Sequence, residues 1–111
     1  MRRLTVSFIA VCLWLYSAEA QQGYLKSGNM LHQSCRAGLA NEYIAGVVDT
    51  HMFLSTEPGK SPRLFCLPAG SINTQAADIV CKYLADHPEQ RHYSASTTAI
   101  VALNAAFPCA R

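Results

Sequence analysis

From residue 27 onward the apolar positions recur at three- and four-residue intervals, and no stretch alternates apolar with polar long enough to suggest a sheet. That period belongs to α-helices with one buried face, so the predicted fold class is all-α. A first helix is predicted from Ser27 to about Arg36, capped by Ser27 or Asn29, with Met30, Leu31, Ser34 and Cys35 on one face and Gly38 as its stop. A second, from Leu39 to about Leu54, places Tyr43, Ile44, Val47, Val48 and His51 on one face. Gly46 within it costs about 1 kcal/mol relative to alanine, which predicts a close helix crossing at that point. A third helix starts near Thr74, buries Ala77, Val80, Cys81 and Leu84, and ends before His87-Pro88, because a residue preceding proline avoids the helical region. The last runs from a Ser94 cap to about Phe107 and buries Ile100, Leu103 and Phe107, with Ala99, Ala102 and Ala106 permitting close packing. Ser55 to Pro62 is broken by Pro58, Gly59 and Pro62 and reads as an exposed loop, and Asp86 to Tyr93 is the second long connection. Four helices on short links predict a small up-down bundle.

Ahead of this pattern, Arg2 and Arg3 precede an apolar run from Leu4 to Tyr16 and then Ala18-Glu19-Ala20. This is the layout of a secretory signal peptide, residues 1–20, cleaved after Ala20 to leave a single domain of residues 21–111. The run is shorter than the roughly 20 residues that cross a bilayer, which argues against an uncleaved anchor. Cys12 follows a loose lipobox-like Ile9-Ala10-Val11, but Val11 is too bulky beside such a cysteine and the site falls too early. Export removes Arg2, Arg3 and Glu19 from a chain of nine Lys/Arg and seven Asp/Glu, leaving it near neutral. No basic stripe of the kind that nucleic acid or an anionic membrane requires is present, so a partner must be recognised by shape and local charge.

Cys35, Cys66, Cys81 and Cys109 remain after processing, an even count that reads as two disulfides in a small exported domain with three connectivities open. In an up-down bundle, the start of the third helix (Cys66) and the end of the fourth (Cys109) share a pole. Cys35 at the end of the first helix and Cys81 in the second half of the third lie nearer the other. The predicted pairs are therefore Cys66–Cys109 and Cys35–Cys81, each contributing about 2 to 4 kcal/mol. The alternative for Cys81 is an ordinary buried thiol.

A search for catalytic chemistry returns little. His32, His51, His87 and His92 stand at no spacing that defines a zinc site, and His51 on a helix face reads as a core histidine. A cysteine held in a disulfide cannot act as a nucleophile. Gly59-Lys60-Ser61 imitates the end of a phosphate loop, but Leu54 occupies the position of the first glycine and Pro62 prevents the following helix. Glu42 and Asp49 could converge from one helix, although solvated helix carboxylates are the commoner case. Neither a metal, a cofactor nor catalysis is expected; the chain reads as a binder.

The ordered series Ser27-Gly28-Asn29-x-Leu31, Cys35, Tyr43-Ile44-x-Gly46-x-x-Asp49, Phe65-Cys66-Leu67-Pro68, Gln75, Tyr83-Leu84, His87-Pro88-Glu89-x-Arg91-His92, Ala95 and Phe107-Pro108-Cys109 resembles the Rap/Tai-type immunity proteins over nearly all of residues 27 to 109. The resemblance implies a small periplasmic helical protein, often dimeric, that neutralises a peptidoglycan amidase delivered by type VI secretion by occluding its Cys-His active site. The chain departs from the family at two positions: members usually carry a cysteine where Asn41 stands and usually lack one at Cys81. The changes look compensatory, because a partner for Cys35 can come from either helix. They weaken any transfer of the family's bond pattern while leaving Cys66–Cys109 untouched.

An inhibitor of this kind inserts a protruding segment into a cleft and surrounds it with a polar rim. Two segments qualify. Ser55 to Arg63 offers Glu57, Lys60 and Arg63 on a proline-stiffened loop. Asp86 to Tyr93 offers His87, Glu89, Arg91, His92 and Tyr93, although it reads more readily as a brace in which Pro88 starts a helical turn and Arg91 or His92 reaches a carboxylate such as Asp49. The competing functional reading is a non-catalytic periplasmic structural or adaptor domain of the same fold with another partner.

Overall fold

The computed structural model describes residues 23–59 and 61–110, so the predicted signal peptide and Lys60 lie outside the described residues. Four helices follow one another: α1 (Gly28–Arg36), α2 (Asn41–Thr56), α3 (Asn73–Asp86) and α4 (Ala95–Ala106), with a 3-10 turn at Pro88–Gln90 between the last two. The fold is all-α. Its one extended pairing among the described residues is an isolated bridge between Ser27 and Ser94.

The helix ends are set by local chemistry. Ser27 caps α1 by accepting from the Met30 N–H at 3.2 Å, and Ser94 caps α4 by accepting from the Thr97 N–H at 3.1 Å. α1 ends at Gly38, whose φ of 71° only glycine adopts cheaply. There the Gly38 N–H donates to the Cys35 carbonyl at 3.1 Å and the Leu39 N–H to the Ser34 carbonyl at 2.8 Å, a Schellman turn. This turn uses Leu39, which explains why α2 begins at Asn41 rather than at Leu39. At the start of α3, the Gln75 side chain accepts from the Ile72 N–H at 3.0 Å.

The core joins all four helices and the segment before α3: Leu31, Ile44, Phe65, Val80, Leu84 and Leu103 are its large, fully buried side chains. Alanines complete it, with Ala76 and Ala77 on α3 and Ala95, Ala99 and Ala102 on α4 all buried. α3 packs against each of the other helices, and α1 lies on α3 and α4. Of the expected inner positions, Tyr43, Val47, Val48, Ile100 and Cys81 are partly buried against this core, whereas Met30 points outward and Ala106 is exposed in the last turn of α4.

The expected close crossing at Gly46 does not exist among the described residues, since a Cβ there would meet nothing within 4 Å. Close approach occurs instead at Gly28, where a Cβ would fall 2.8 Å from the Arg91 carbonyl oxygen and 2.9 Å from the Arg91 Cα. Here the first turn of α1 lies against residues 91–95. The Gly28 and Asn29 N–H groups donate to the Tyr93 and Arg91 carbonyls, and the Ala95 N–H to the Lys26 carbonyl, each at 2.8 Å. Unpaired donors at a helix start thus meet carbonyls of a loop, which is the physical content of Ser27-Gly28-Asn29.

Two disulfides cross this framework. Cys35 on α1 bonds Cys81 on α3 with Cα atoms 5.6 Å apart, and Cys66 bonds Cys109 beyond α4 with Cα atoms 4.9 Å apart. The second is continued by backbone, the Cys66 N–H donating to the Phe107 carbonyl at 2.9 Å.

Candidate functional site

The two segments singled out in the sequence sit at opposite ends of α3. A helix of 14 residues separates them by about 20 Å at 1.5 Å per residue. They cannot form one compact site on a single copy, and their side chains are used differently.

The segment after α3 is a brace. Pro88 starts a 3-10 turn, as the sequence suggests, but no side chain from it reaches Asp49. The Arg91 guanidinium turns back onto α3, with Nε donating to the Leu84 carbonyl at 2.6 Å and a terminal nitrogen to the Ala85 carbonyl at 3.1 Å. The last carbonyls of a helix lack intrahelical partners and carry the negative end of its dipole, so a cation settles there rather than on a distant carboxylate. His87 belongs to the same cap: its ring stacks on Tyr83 at 4.1 Å, with Nδ1 2.9 Å from the Tyr83 carbonyl oxygen. Glu89 and His92 are exposed, and the His92 carbonyl accepts from the Tyr24 hydroxyl at 2.8 Å. His32 on α1 has its pKa lowered, first by burial and then by the positive charges of Arg91 and Arg36.

At the other end, the chain between α2 and Phe65 has a fixed base and a free edge. Glu57 ends α2, Gly59 turns with a φ of 76°, and Ser61, Pro62 and Arg63 are exposed. The return of the chain is held at Leu64. Its N–H donates to Nε2 of His51 at 2.9 Å, while its carbonyl accepts from the Asn104 side-chain amide of α4. Next to it Phe65 is fully buried and stacks on the His51 ring with centroids 4.0 Å apart. Because Nε2 accepts, the neutral ring carries its proton on Nδ1. Burial, with a smaller contribution from the Arg63 charge, pushes the His51 pKa down.

The structure adds residues that the sequence pattern did not single out. Met52, Phe53 and Leu54 are all substantially exposed on the last turns of α2, Phe53 at 60 %, and Leu64 is exposed at the far end of the loop. The signal was present in the helical phase: if residues 44, 47, 48 and 51 face inward, Phe53 falls opposite them and 52 and 54 lie at the edges of that face. Large apolar side chains beside a charged loop have the composition of an interface core with a polar rim. Glu42 and Asp49 are exposed on the outer side of the same helix.

Among the described residues no three His, Cys, Asp or Glu side chains gather as a metal set, and no helix is long and apolar enough to cross a membrane. A surface depression of about 550 Å³ is lined by Pro68, Ser71, Gln75, Asp78, Ile79 and Phe107. It offers neither a thiol nor an imidazole.

These features define a small, disulfide-stapled helical domain that presents an anchored loop and an apolar helix edge, the equipment of a protein-binding module. The family model of the Rap1a immunity proteins matches residues 27–109, and the chain belongs to that family. Its members are immunity proteins, generally non-catalytic, which implies a cognate toxin as partner. No curated protein matches the chain.

Proposed function

We propose that this protein is a periplasmic immunity protein that binds a cognate peptidoglycan amidase delivered by type VI secretion and blocks its active site, so protecting the producing cell. Family membership supports an effector as the partner, and two disulfides fit an oxidising compartment. In this reading residues 1–20 direct export and are removed after Ala20, leaving residues 21–111 as the working domain. Self-association into a homodimer belongs to the same reading.

The observation that carries the choice of surface is the contrast between the two ends of α3. His87 and Arg91 are occupied in capping that helix, while Glu57 and Arg63 extend from an anchored loop beside exposed Met52 and Phe53. A loop fixed at its base loses little conformational freedom on docking, which favours it as the inserted element. Phe53 acts as the apolar anchor and Glu57, Lys60 and Arg63 as the charged rim. Glu89 and His92, at the far end, are secondary contacts on a partner large enough to span both ends, or on the second copy of a dimer.

The test is periplasmic expression of the amidase encoded beside this gene, with and without the protein. Survival is expected only with it. Equal lysis in both cultures rejects the pairing.

A further inference from the structure

We propose that His51 is a pH-responsive clasp on the segment Ser55–Leu64: as the neutral imidazole it holds the base of the loop in place, and on protonation it lets go. The clasp is a matter of geometry. Its ring nitrogen Nε2 accepts the Leu64 N–H at 2.9 Å and the ring lies buried against Phe65; this bond closes the base of the candidate contact loop together with the Asn104 amide on the Leu64 carbonyl and a longer Ser61 N–H to Leu54 carbonyl bond at 3.4 Å. A protonated imidazole bears hydrogen on both nitrogens and accepts nothing, so Nε2–H would oppose the Leu64 N–H. Two donors facing each other in a part-buried site must separate, and the exposed segment yields more readily than α2.

Among the described residues the surroundings offer nothing to keep the charged ring in place. From the loop, Arg63 adds a second positive charge. α4 approaches with the neutral Asn104 amide and carries no ionisable side chain. Burial and the Arg63 charge both lower its pKa, and among the described residues no carboxylate forms an ion pair with it. The aromatic face of Phe65 accommodates the neutral ring by stacking. Nδ1, the nitrogen that carries the proton in the neutral form, has no hydrogen-bond partner among the described residues, so a charged ring would gain none.

For the biology the clasp rests on the reading of Ser55–Arg63 as the effector contact; as a property of the fold it stands independently. It makes His51 a positioning residue, setting where Glu57 and Arg63 stand without touching the partner itself.

The experiment is an NMR titration of the purified protein from pH 8 to pH 5, following the His51 ring proton, the hydrogen-exchange protection factor of the Leu64 amide and the shifts of residues 56–64. The expected result is a His51 midpoint below 6.5, with Leu64 protection falling about five- to tenfold at that same midpoint, in line with the loss of one buried hydrogen bond. The amides of Leu84 and Leu103 are expected to stay protected throughout. His51→Gln supplies an acceptor that does not titrate, and is expected to flatten the Leu64 response. The proposal is overturned if Leu64 protection is unchanged through the His51 midpoint, if it falls equally in His51→Gln, or if Leu84 and Leu103 lose protection with it. Should His51→Gln fail to fold, the comparison of Leu64 with Leu103 in the wild-type protein decides alone. A clasp that opens while affinity for the effector stays constant with pH would instead count against the loop as the contact.

Discussion

The Nε of Arg91 donates to the Leu84 carbonyl at 2.6 Å, and this contact ties the connection between α3 and α4 to the end of the helix it has just left. With the second guanidinium bond, to Ala85, it satisfies two carbonyls that the helix cannot satisfy itself. Arg91→Ala is expected to lower stability by about 1 to 3 kcal/mol, since charge-assisted bonds to backbone are lost at a partly buried site. Chemical denaturation measures it. Arg91→Lys should recover only part, because a single ammonium cannot reproduce the fork.

The two glycines of α1 and α2 should respond to alanine with opposite signs. Gly28→Ala drives a methyl into the Arg91 backbone at 2.8 to 2.9 Å and should destabilise by about 1 to 3 kcal/mol. At Gly46 the space around a new Cβ is empty, so Gly46→Ala should stabilise the isolated protein by about 0.5 to 1 kcal/mol through helix propensity alone. Melting temperatures of the two variants check both signs together.

Each disulfide closes a long stretch of chain, with a sequence separation of 46 for Cys35–Cys81 and 43 for Cys66–Cys109. Replacing either pair by alanine should cost about 2 to 4 kcal/mol. Thiol titration of the unreduced, processed protein should find none of the four cysteines free; two free thiols would remove the Cys35–Cys81 bond.

The effector contact is separable from stability. Reversing charge at Glu57, Lys60 and Arg63 together should weaken binding of the cognate amidase at least tenfold while leaving the melting temperature within about 2 °C of wild type, because exposed loop charges contribute little to folding. Phe53→Asp should weaken binding similarly if that exposed ring is the anchor. Unchanged affinity in both variants would move the interface elsewhere.

Two buried or half-buried histidines set the direction of the acid response. His51 and His32 both have folded pKa values depressed below 6.5, chiefly by burial. Between the folded and unfolded values the unfolded chain binds more protons, so their contribution to stability is complete above about 6.5 and lost as pH falls through the lowered folded values. Denaturant unfolding at a series of pH values should show this decline. In His51→Gln the part due to His51 should vanish.

Much of the scaffold was legible along the chain because its signals are local. Ser27 and Ser94 as caps, Gly38 as a stop and Pro88 as the start of a turn each act within a few residues of themselves, and each holds that role in the folded protein. The inward face of α2 followed from its period in the same way. The same reasoning placed Met30 inward and a helix crossing at Gly46, because periodicity fixes relative angles on a helix but not which neighbour, if any, lies opposite.

The sequence by itself determined four helices, the caps of α1 and α4, the family and a framework of paired cysteines, since propensity, period and motif order are written in neighbouring residues. Only the tertiary structure decided which of the two polar connections is committed to scaffold. That choice depends on contacts between residues distant in the chain: Gly28 against Arg91, Asn104 against the Leu64 carbonyl, His51 against the Leu64 N–H. A guanidinium or an imidazole has the same composition whether it faces a partner or caps a helix. Its role is fixed by which unpaired backbone group the fold brings within hydrogen-bonding reach.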